Sequence, residues 1–332
     1  MAKKLKNTDY LFLSAYIRAK EKGMLDSEKA ERMIGAKTAK DAAKVLEECG
    51  YGDMSSITVS DIGEKVNQKR AAVMKDLETV VPDRSILDIF RLKYDYHNLK
   101  TAIKAEAMGV DPISLISDAG RYGKDVFTDE YRKEDSAVFS ETFKAALRDA
   151  RDTLARTGDP QIADFILDNA FYKEYISLAE SSGSKLLLEY ARLMADSANL
   201  RSTVRAVRMK KGADFLERVL AEGGNVASSD ITDAMRNGAP VSAVFTGELK
   251  AAAELGDAAC GGGDITAFEK ACDDALSKKI YDIGLMGYGV EILIAYLCNL
   301  ENELLDVSII MSGKLTGAST DTIRRRIRTL NT

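Results

Sequence analysis

The segment KYDYHNLKTAIKAEAMG, residues 93–109, carries the apolar spacing that decides the fold. Read as part of a helix, it continues a stripe of apolar side chains spaced three and four residues apart, at Ile89, Leu92, Tyr96, Leu99 and Ile103. This spacing is typical of a helix packed on a core. His97, the single histidine of the chain, is offset by about 100° from the stripe. We interpret it as a structural residue, with a catalytic or pH-sensing role as the alternative.

The same pattern recurs about one hundred residues later. The sequence NLKTAIKA at 98–105 aligns with NLRSTVRA at 199–206, with three of eight positions identical and four conservative. A third, weaker candidate at 294–317 aligns when Glu303 is placed opposite Asn199, an offset of 104 residues. We therefore predict three diverged helical units of about 100 residues. Each unit is expected to bury one leucine of its repeated helix: Leu99, Leu200 and Leu304.

Composition indicates a nearly all-helical protein. Of 332 residues, 45% are apolar and four are proline, while Ala, Leu, Glu, Lys and Arg dominate. We expect helix to exceed about two-thirds of the chain, against a globular average of roughly one-third. The longest apolar run, residues 285–300, is shorter than the roughly 20 residues of a spanning helix, so we predict a buried core helix there.

Charge and motif content exclude several kinds of function. The net charge of −5, with both signs interleaved, argues against a nucleic-acid partner. Four cysteines and one histidine do not form a zinc set, so we predict no metal and reduced, mostly buried thiols. The glycine-rich stretches at 260–268, 284–289 and 312–317 lack a Walker pattern and indicate loops and helix ends, with Asp264 or Thr266 as an N-cap. We predict no catalytic residue and no cofactor.

Three stretches carry a resemblance to a known family. KYDYHNLKTAIKA at 93–105 resembles the hallmark helix of the C subunit of V/A-type ATPases, a family that includes the eukaryotic d subunit. Residues 10–53 resemble the first helix pair of that family. The run IAYLCNLENELLDVSIIMSGKLTGASTDTIRRRIR at 294–328 resembles its ending. The chain departs from the family pattern at Ser308, where members often carry a basic residue.

The resemblance implies an architecture and a role. It implies an all-α, funnel-like protein of three similar helical lobes related by a pseudo-threefold axis, at about 1–109, 110–212 and 213–332. It also implies a non-catalytic central-stalk (rotor) subunit that couples the central shaft to the membrane rotor ring during ion transport. The expected partners are the shaft subunits of D and F type and the rotor ring. The expected location is cytoplasmic, peripheral on the cytoplasmic face of the membrane through the ring, without a span of its own.

Two other classes of function are alternatives. A soluble helical-repeat scaffold for peptides would have repeats of roughly 30–45 residues, and the period here is near 100. A helical enzyme would depend on His97, and no nucleophile is placed beside it in the sequence.

Basic residues mark the ends of the repeated helices, which run into Gly109, Gly212, and Gly313 or Gly317. As candidate contacts to an acidic partner face we select Lys210, Lys211, Lys314, Arg324, Arg325 and Arg328. The alternative is that these charges only complement helix C-termini, each contributing about 0.3–1 kcal/mol.

Overall fold

The computed structural model describes residues 5–133 and 135–328. Helix accounts for 73% of the described residues and no strand occurs among them, which confirms the predicted all-α class. Fifteen α-helices occur in the described residues: α1 Leu11–Glu21, α2 Ser27–Gly35, α3 Ala39–Glu48, α4 Ile62–Leu77, α5 Ser85–Ala107, α6 Lys124–Tyr131, α7 Glu141–Thr157, α8 Pro160–Ser181, α9 Lys185–Arg208, α10 Ala213–Val219, α11 Ser228–Arg236, α12 Lys250–Cys260, α13 Ile265–Gly284, α14 Val290–Thr316 and α15 Thr320–Arg324.

Side-chain caps fix where many of these helices begin. Asp264 accepts hydrogen bonds from the backbone N–H groups of Thr266 and Ala267, so it, rather than the alternative Thr266, is the N-cap of α13. Ser184 caps α9 in the same way. Pro160 occupies the first turn of α8, where the missing N–H has no helical partner to lose.

The helices form two compact units. The terminal unit comprises residues 5–84 and 247–328, with α1–α4 and α12–α15. Its longest helix, α14, packs against α13, α4, α1 and α3. The side chains of Ile292, Leu293, Ile294, Val307 and Ile310 on α14 have no solvent exposure and form the centre of this unit's core.

The middle unit comprises residues 85–246, with α5–α11. Helix α8 packs against α7, α5 and α9. An aromatic cluster fills the space between these helices, where the ring of Tyr96 meets Phe143 edge to face at 5.1 Å and Phe171 at 5.8 Å. Aromatic pairs in this geometry contribute roughly 0.5–1.5 kcal/mol beyond the area they bury.

The predicted apolar stripes are confirmed. All five stripe residues of α5 are buried, and Leu99, Leu200 and Leu304 are at most 1% exposed. In α9 the stripe is buried through Val204 and becomes half-buried at Val207, in the last turn. The division into three lobes at 109 and 212, and their relation by an axis, remain predictions.

The prediction of a buried helix over 285–300 is only partly right. Helix α14 begins at Val290, and residues 285–289 form an exposed loop in which Leu285 is 66% exposed. Gly289 explains the difference. Its φ of 131° lies outside the helical region and is rarely adopted by residues with a side chain, so the helix begins only after this glycine. A run of apolar letters therefore contained both a core helix and a surface loop.

Candidate functional site

The repeated helices α5 and α9 each hold a later loop through a buried asparagine. The side-chain amide of Asn98 donates to the carbonyl of Ser117 at 2.8 Å and accepts from its N–H at 2.9 Å. Asn199 makes the same two bonds to Ala221, at 2.8 and 2.7 Å. Because both asparagines are fully buried, these bonds satisfy backbone groups that would otherwise lack partners. We call the held loops the first strap (residues 117–122) and the second strap (residues 221–226).

A buried aspartate one turn earlier makes a second attachment to each strap. Asp95 accepts from the N–H of Arg121 at 2.9 Å, and Asp196 accepts from the N–H groups of Asn225 and Val226 at 3.0 and 3.1 Å. Each aspartate lies against a glycine of the strap. A Cβ at Gly120 would lie 2.3 Å from Asp95 Oδ1, and one at Gly224 would lie 2.1 Å from Asp196 Oδ1. Only glycine permits this close approach.

Helix α14 carries two buried acidic side chains three residues apart, of which one holds a strap. Its buried Asp306 accepts from the N–H of Arg328 at 3.1 Å, and we call residues 325–328 the third strap. Three residues earlier, Glu303 accepts from the N–H of Leu25 at 2.9 Å and from the Tyr51 hydroxyl at 2.7 Å. Asp306 lies 11 residues before the positive-φ residue Gly317, as Asn199 lies 11 residues before Lys210, so Asp306 corresponds to Asn199 at an offset of 107 residues.

The sequence alignment of the third repeat was therefore displaced by three residues. It placed Glu303 opposite Asn199, whereas the closing turn that the repeated helices share places Glu303 opposite Asp196. The offset of 104 was acceptable in the sequence because it aligns the leucine of the motif with Leu304. A helix rotates by nearly one full turn over three residues, so an offset of 107 places the same face of the helix inward. In this register the residue opposite His97 is Leu305, which is 42% exposed.

Burial controls the protonation of these carboxyl groups. Burial raises the pKa of Asp95 to about 6, while the Arg121 guanidinium at 2.5 Å and two backbone N–H groups oppose the rise. Burial likewise raises the pKa of Asp196 and of Glu303. In the middle unit Arg121 also bonds Glu174 at 2.9 Å, and Glu174 accepts from the Tyr96 hydroxyl at 2.8 Å. The result is a buried ion network that fixes the first strap to α5 and α8.

The three repeated helices end in the same backbone turn. Each ends with a residue of positive φ followed by a residue whose N–H bonds back across the last turn, as in a Schellman motif. The positive-φ residues are Gly109 (68°), Lys210 (56°) and Gly317 (73°). The closing bonds run from Val110 to Ala105, Lys211 to Ala206 and Ala318 to Gly313, at 2.8–2.9 Å. The true counterpart of Gly109 is therefore Lys210, not Gly212.

The six basic residues selected from the sequence fall into two groups. Lys210 and Lys211 are exposed at the end of α9, and Arg325 is exposed after α15. Arg324 is also half exposed, but its guanidinium forms an ion pair with Glu31 at 2.9 Å. These four are placed where a partner could reach them.

Lys314 and Arg328 are instead built into the terminal unit. The Lys314 ammonium donates to the carbonyl oxygens of Ile34 and Ala36, at the C-terminal end of α2. Burial, and secondarily Arg324, lower the pKa of Lys314. Arg328 pairs with Asp273 at 2.9 Å, and its side chain is 16% exposed. Both residues act in the packing of this chain, which the sequence did not reveal because their partners lie far away along it.

An exposed apolar surface on the terminal unit was not identified from the sequence. The loop 285–289 lies beside α1, because the Gly289 N–H donates to Ser14 Oγ at 3.1 Å and Arg18 donates to the carbonyl of Gly284 at 2.5 Å. We call the exposed apolar side chains of these elements the apolar surface: Leu11, Phe12, Tyr281, Leu285, Met286 and Tyr288. Its signal was present in the sequence as apolar letters between glycines 284, 287 and 289.

A half-open cavity borders this surface. Its volume is about 540 Å³, and its lining mixes charged groups with the rings and chains of the apolar surface, including Arg18, Lys22, Asp26, Tyr281 and Leu285. Among the described residues no group of three or more His, Cys, Asp or Glu side chains could hold a metal ion.

His97 is exposed on α5, one residue from the stripe. Partial desolvation of the ring and the nearby Lys100 and Lys104 lower its pKa. The two lysines point elsewhere, since Lys104 bonds Asp164 at 2.6 Å and Lys100 bonds Asp168 at 2.5 Å on α8. A neutral surface imidazole in this position has no acid or base partner among the described residues around it.

The fold and these surfaces define an all-helical protein whose buried polar groups hold its own loops and whose exposed groups can meet other proteins. No helix in the described ranges is both long enough and apolar enough to cross a membrane. A family model described as ATP synthase (C/AC39) subunit matches residues 13–326. The chain belongs to this family.

Similar proteins carry related names. The chain is 24% identical to the C subunit of the V-type sodium ATPase of Enterococcus hirae, over 96% of its own length and 98% of that protein. It is 23% identical to the C subunit of the A-type ATP synthase of Methanocaldococcus jannaschii, over 95% and 85% of the two chains. It is also 23% identical to the C subunit of the V-type ATP synthase of Thermus thermophilus, over 64% and 70%.

Proposed function

We propose that this chain is a non-catalytic central-stalk subunit of a V/A-type rotary ATPase, which couples the central shaft to the membrane rotor ring during ion transport. The observation that carries the proposal is the family match over residues 13–326, with nearly full-length relatives named as C subunits of V-type and A-type enzymes. The protein would work at the cytoplasmic face of the membrane, held there by the ring.

The internal construction suits a part that transmits torque. Repeated helices whose loops are pinned by buried side chains resist bending, because each pinned loop must lose several hydrogen bonds before it moves. Asn98 and Asn199 each make two such bonds. Both side chains are buried, so water cannot readily replace these bonds when a loop is pulled away. Close-packed helical interiors transmit strain with little compression.

A coupling protein needs surfaces for its partners, which we propose to be the D- and F-type shaft subunits and the rotor ring. The apolar surface of the terminal unit is the first candidate, since Leu285 and Phe12 are more than 60% exposed. Aromatic and methionine side chains are enriched at the centre of protein interfaces. The exposed basic residues Lys210, Lys211 and Arg325 are the second candidate, for an acidic partner face.

The apolar surface is tested by changing one side chain in it. Leu285→Asp places a charge in the loop at a side chain that is 66% exposed, so the isolated chain is expected to keep its melting temperature within about 2 °C, as surface substitutions change stability by roughly 0.5 kcal/mol or less. Recovery of shaft or ring proteins with the tagged chain should fall at least about tenfold, since a central interface anchor contributes roughly 2 kcal/mol or more.

The matched control is Leu255→Asp, which changes another partly exposed leucine of the same unit, on α12, outside the apolar surface. It should leave recovery of the partner proteins unchanged. Equal recovery with the parent, Leu285→Asp and Leu255→Asp chains would remove the apolar surface from the proposal.

A further inference from the structure

Among the described residues, the repeated helix α14 makes fewer hydrogen bonds to the backbone of its strap than α5 and α9 make to theirs. Asn98 and Asn199 each bond both the N–H and the carbonyl of one strap residue. Asp306 replaces them on α14, and it accepts one backbone N–H, that of Arg328. A carboxylate cannot donate a hydrogen bond, so the second backbone bond of the pattern is lost at this position.

The second oxygen of Asp306 lacks a hydrogen-bond partner among the described residues. Asp306 has no exposed surface, and its Oδ2 is buried without any hydrogen bond among the described residues. A buried carboxylate oxygen without a donor is costly, because the ionised group has given up its hydration. The attachment of the third strap therefore carries an unfavourable term that the asparagine-held straps do not carry.

The charged groups that face Asp306 come from two neighbouring elements and its own helix. On the third strap, the Arg328 guanidinium lies 3.9 Å away. On α13, Lys270 donates to the carbonyl of Ile327 at 2.8 Å, and Asp273 pairs with Arg328. Two more carboxylates complete the surroundings: Asp274, 3.4 Å from Lys270, and Glu303, one turn earlier on α14.

We propose that the third strap is a pH-responsive latch, which detaches from α14 more readily when Asp306 is ionised and is held when Asp306 takes up a proton. With the strap in place, burial raises the pKa of Asp306 to about 6, while the Arg328 N–H and guanidinium oppose that rise. Detachment admits water to the carboxyl and returns its pKa toward the ordinary value of about 3.9.

The sign of the effect follows from proton binding. Between about pH 4 and 6 the attached state binds more protons than the detached state, so lowering the pH through this range favours attachment. One proton changes the opening constant of the strap by at most about tenfold per pH unit. Above about pH 6.5 the carboxyl is ionised in both states and the opening constant is expected to be flat.

Hydrogen exchange of the full-length chain measures this opening directly. Protection factors of peptides covering residues 319–328 are compared at pH 7.5 and pH 5.0, after correction for the intrinsic exchange rate. The expected result is an opening constant about tenfold smaller at pH 5.0. An opening constant that does not fall between pH 7.5 and 5.0 in the unmodified chain would overturn the proposal without any variant.

Two substitutions separate Asp306 from other titrating groups. Asp306→Asn restores the residue type of the other two repeats, so the strap should open less at pH 7.5 and lose its pH response. Asp273→Asn removes the Arg328 ion pair but leaves Asp306, so the strap should open more at both pH values and keep the response. A full pH response in Asp306→Asn would assign the effect elsewhere and contradict the latch.

Discussion

At the scale of single residues, apolar and polar side chains on the repeated helices have different tasks. Leu99 and Leu200 fill the core and are fully buried. Asn98 and Asn199, each next to one of these leucines, hold a strap through its backbone. The leucine contributes by leaving water, whereas the asparagine contributes chiefly because leaving the strap unpaired would be costly.

The burial of Leu200 makes its truncation costly. Leu200→Ala should lower the free energy of unfolding by roughly 2–5 kcal/mol, since it removes buried methyl groups and leaves a cavity in a closed core. Urea unfolding followed by circular dichroism measures the change. Leu305→Ala, at a leucine that is 42% exposed, is the control and should cost much less. Similar losses for both variants would mean that Leu200 does not anchor its core.

Residue spacing in the sequence was sufficient to predict the burial of the leucines, but not to predict the hydrogen-bond partners of their polar neighbours. The three- and four-residue steps of α5 predict which side chains face inward, because burial of apolar groups depends on the helix face alone. Asp95 and Asp196 lie within the same helices and are also buried. Their partners are backbone amides of later straps, and no letter of the sequence marks a backbone amide as a partner. The recurrence of Asp-x-x-Asn at 95–98 and 196–199 was the available signal.

At the scale of elements, helix ends carry information that helix interiors do not. The repeated helices share one closing turn, at Gly109, Lys210 and Gly317, and this turn aligns the third repeat correctly where residue identity did not. A side chain at positive φ is strained by roughly 1–2 kcal/mol. Among the described residues, Lys210 is the non-glycine residue with a positive φ. Because a lysine is strained in this conformation, we consider it a candidate for a partner contact rather than a stabilising residue.

Replacing this lysine separates the two roles. Lys210→Gly should raise the free energy of unfolding by up to about 1 kcal/mol, because glycine accepts the positive φ without strain. If Lys210 meets an acidic partner face, the same variant should assemble with shaft or ring more slowly and with a weaker dependence on salt. Thermal unfolding of the isolated chain and reassembly at several salt concentrations provide the two readouts.

Lys211→Gly is the matched control, since Lys211 is also exposed and is not in the positive-φ conformation. It should not stabilise the chain. If Lys210→Gly is no more stable than Lys211→Gly, the strain assigned to this turn is absent. If Lys210→Gly assembles at the parental rate at every salt concentration, Lys210 serves only the helix end.

At the scale of the whole molecule, the sequence indicated the all-α class and the family. It did not indicate which helices pack together in one unit, because that unit combines helices from distant parts of the chain. Residues from both ends of the numbered chain, 5–84 and 247–328, share one core around α14. Successive repeats of about 100 residues do not predict that grouping, because contacts such as that between Arg70 and Glu301 join residues 231 positions apart. The three-lobe arrangement stays a prediction, and the candidate surfaces are those that the two units expose.

We propose that this chain couples rotation to ion transport without taking part in ATP hydrolysis. The most direct measurement compares complete complexes with complexes assembled without this chain, reconstituted in vesicles, for ATP hydrolysis and for ATP-driven ion uptake. We predict that hydrolysis persists without the chain, that ion uptake stops, and that adding the purified chain back restores uptake. Ion uptake at the full rate in complexes shown to lack the chain would contradict the coupling role.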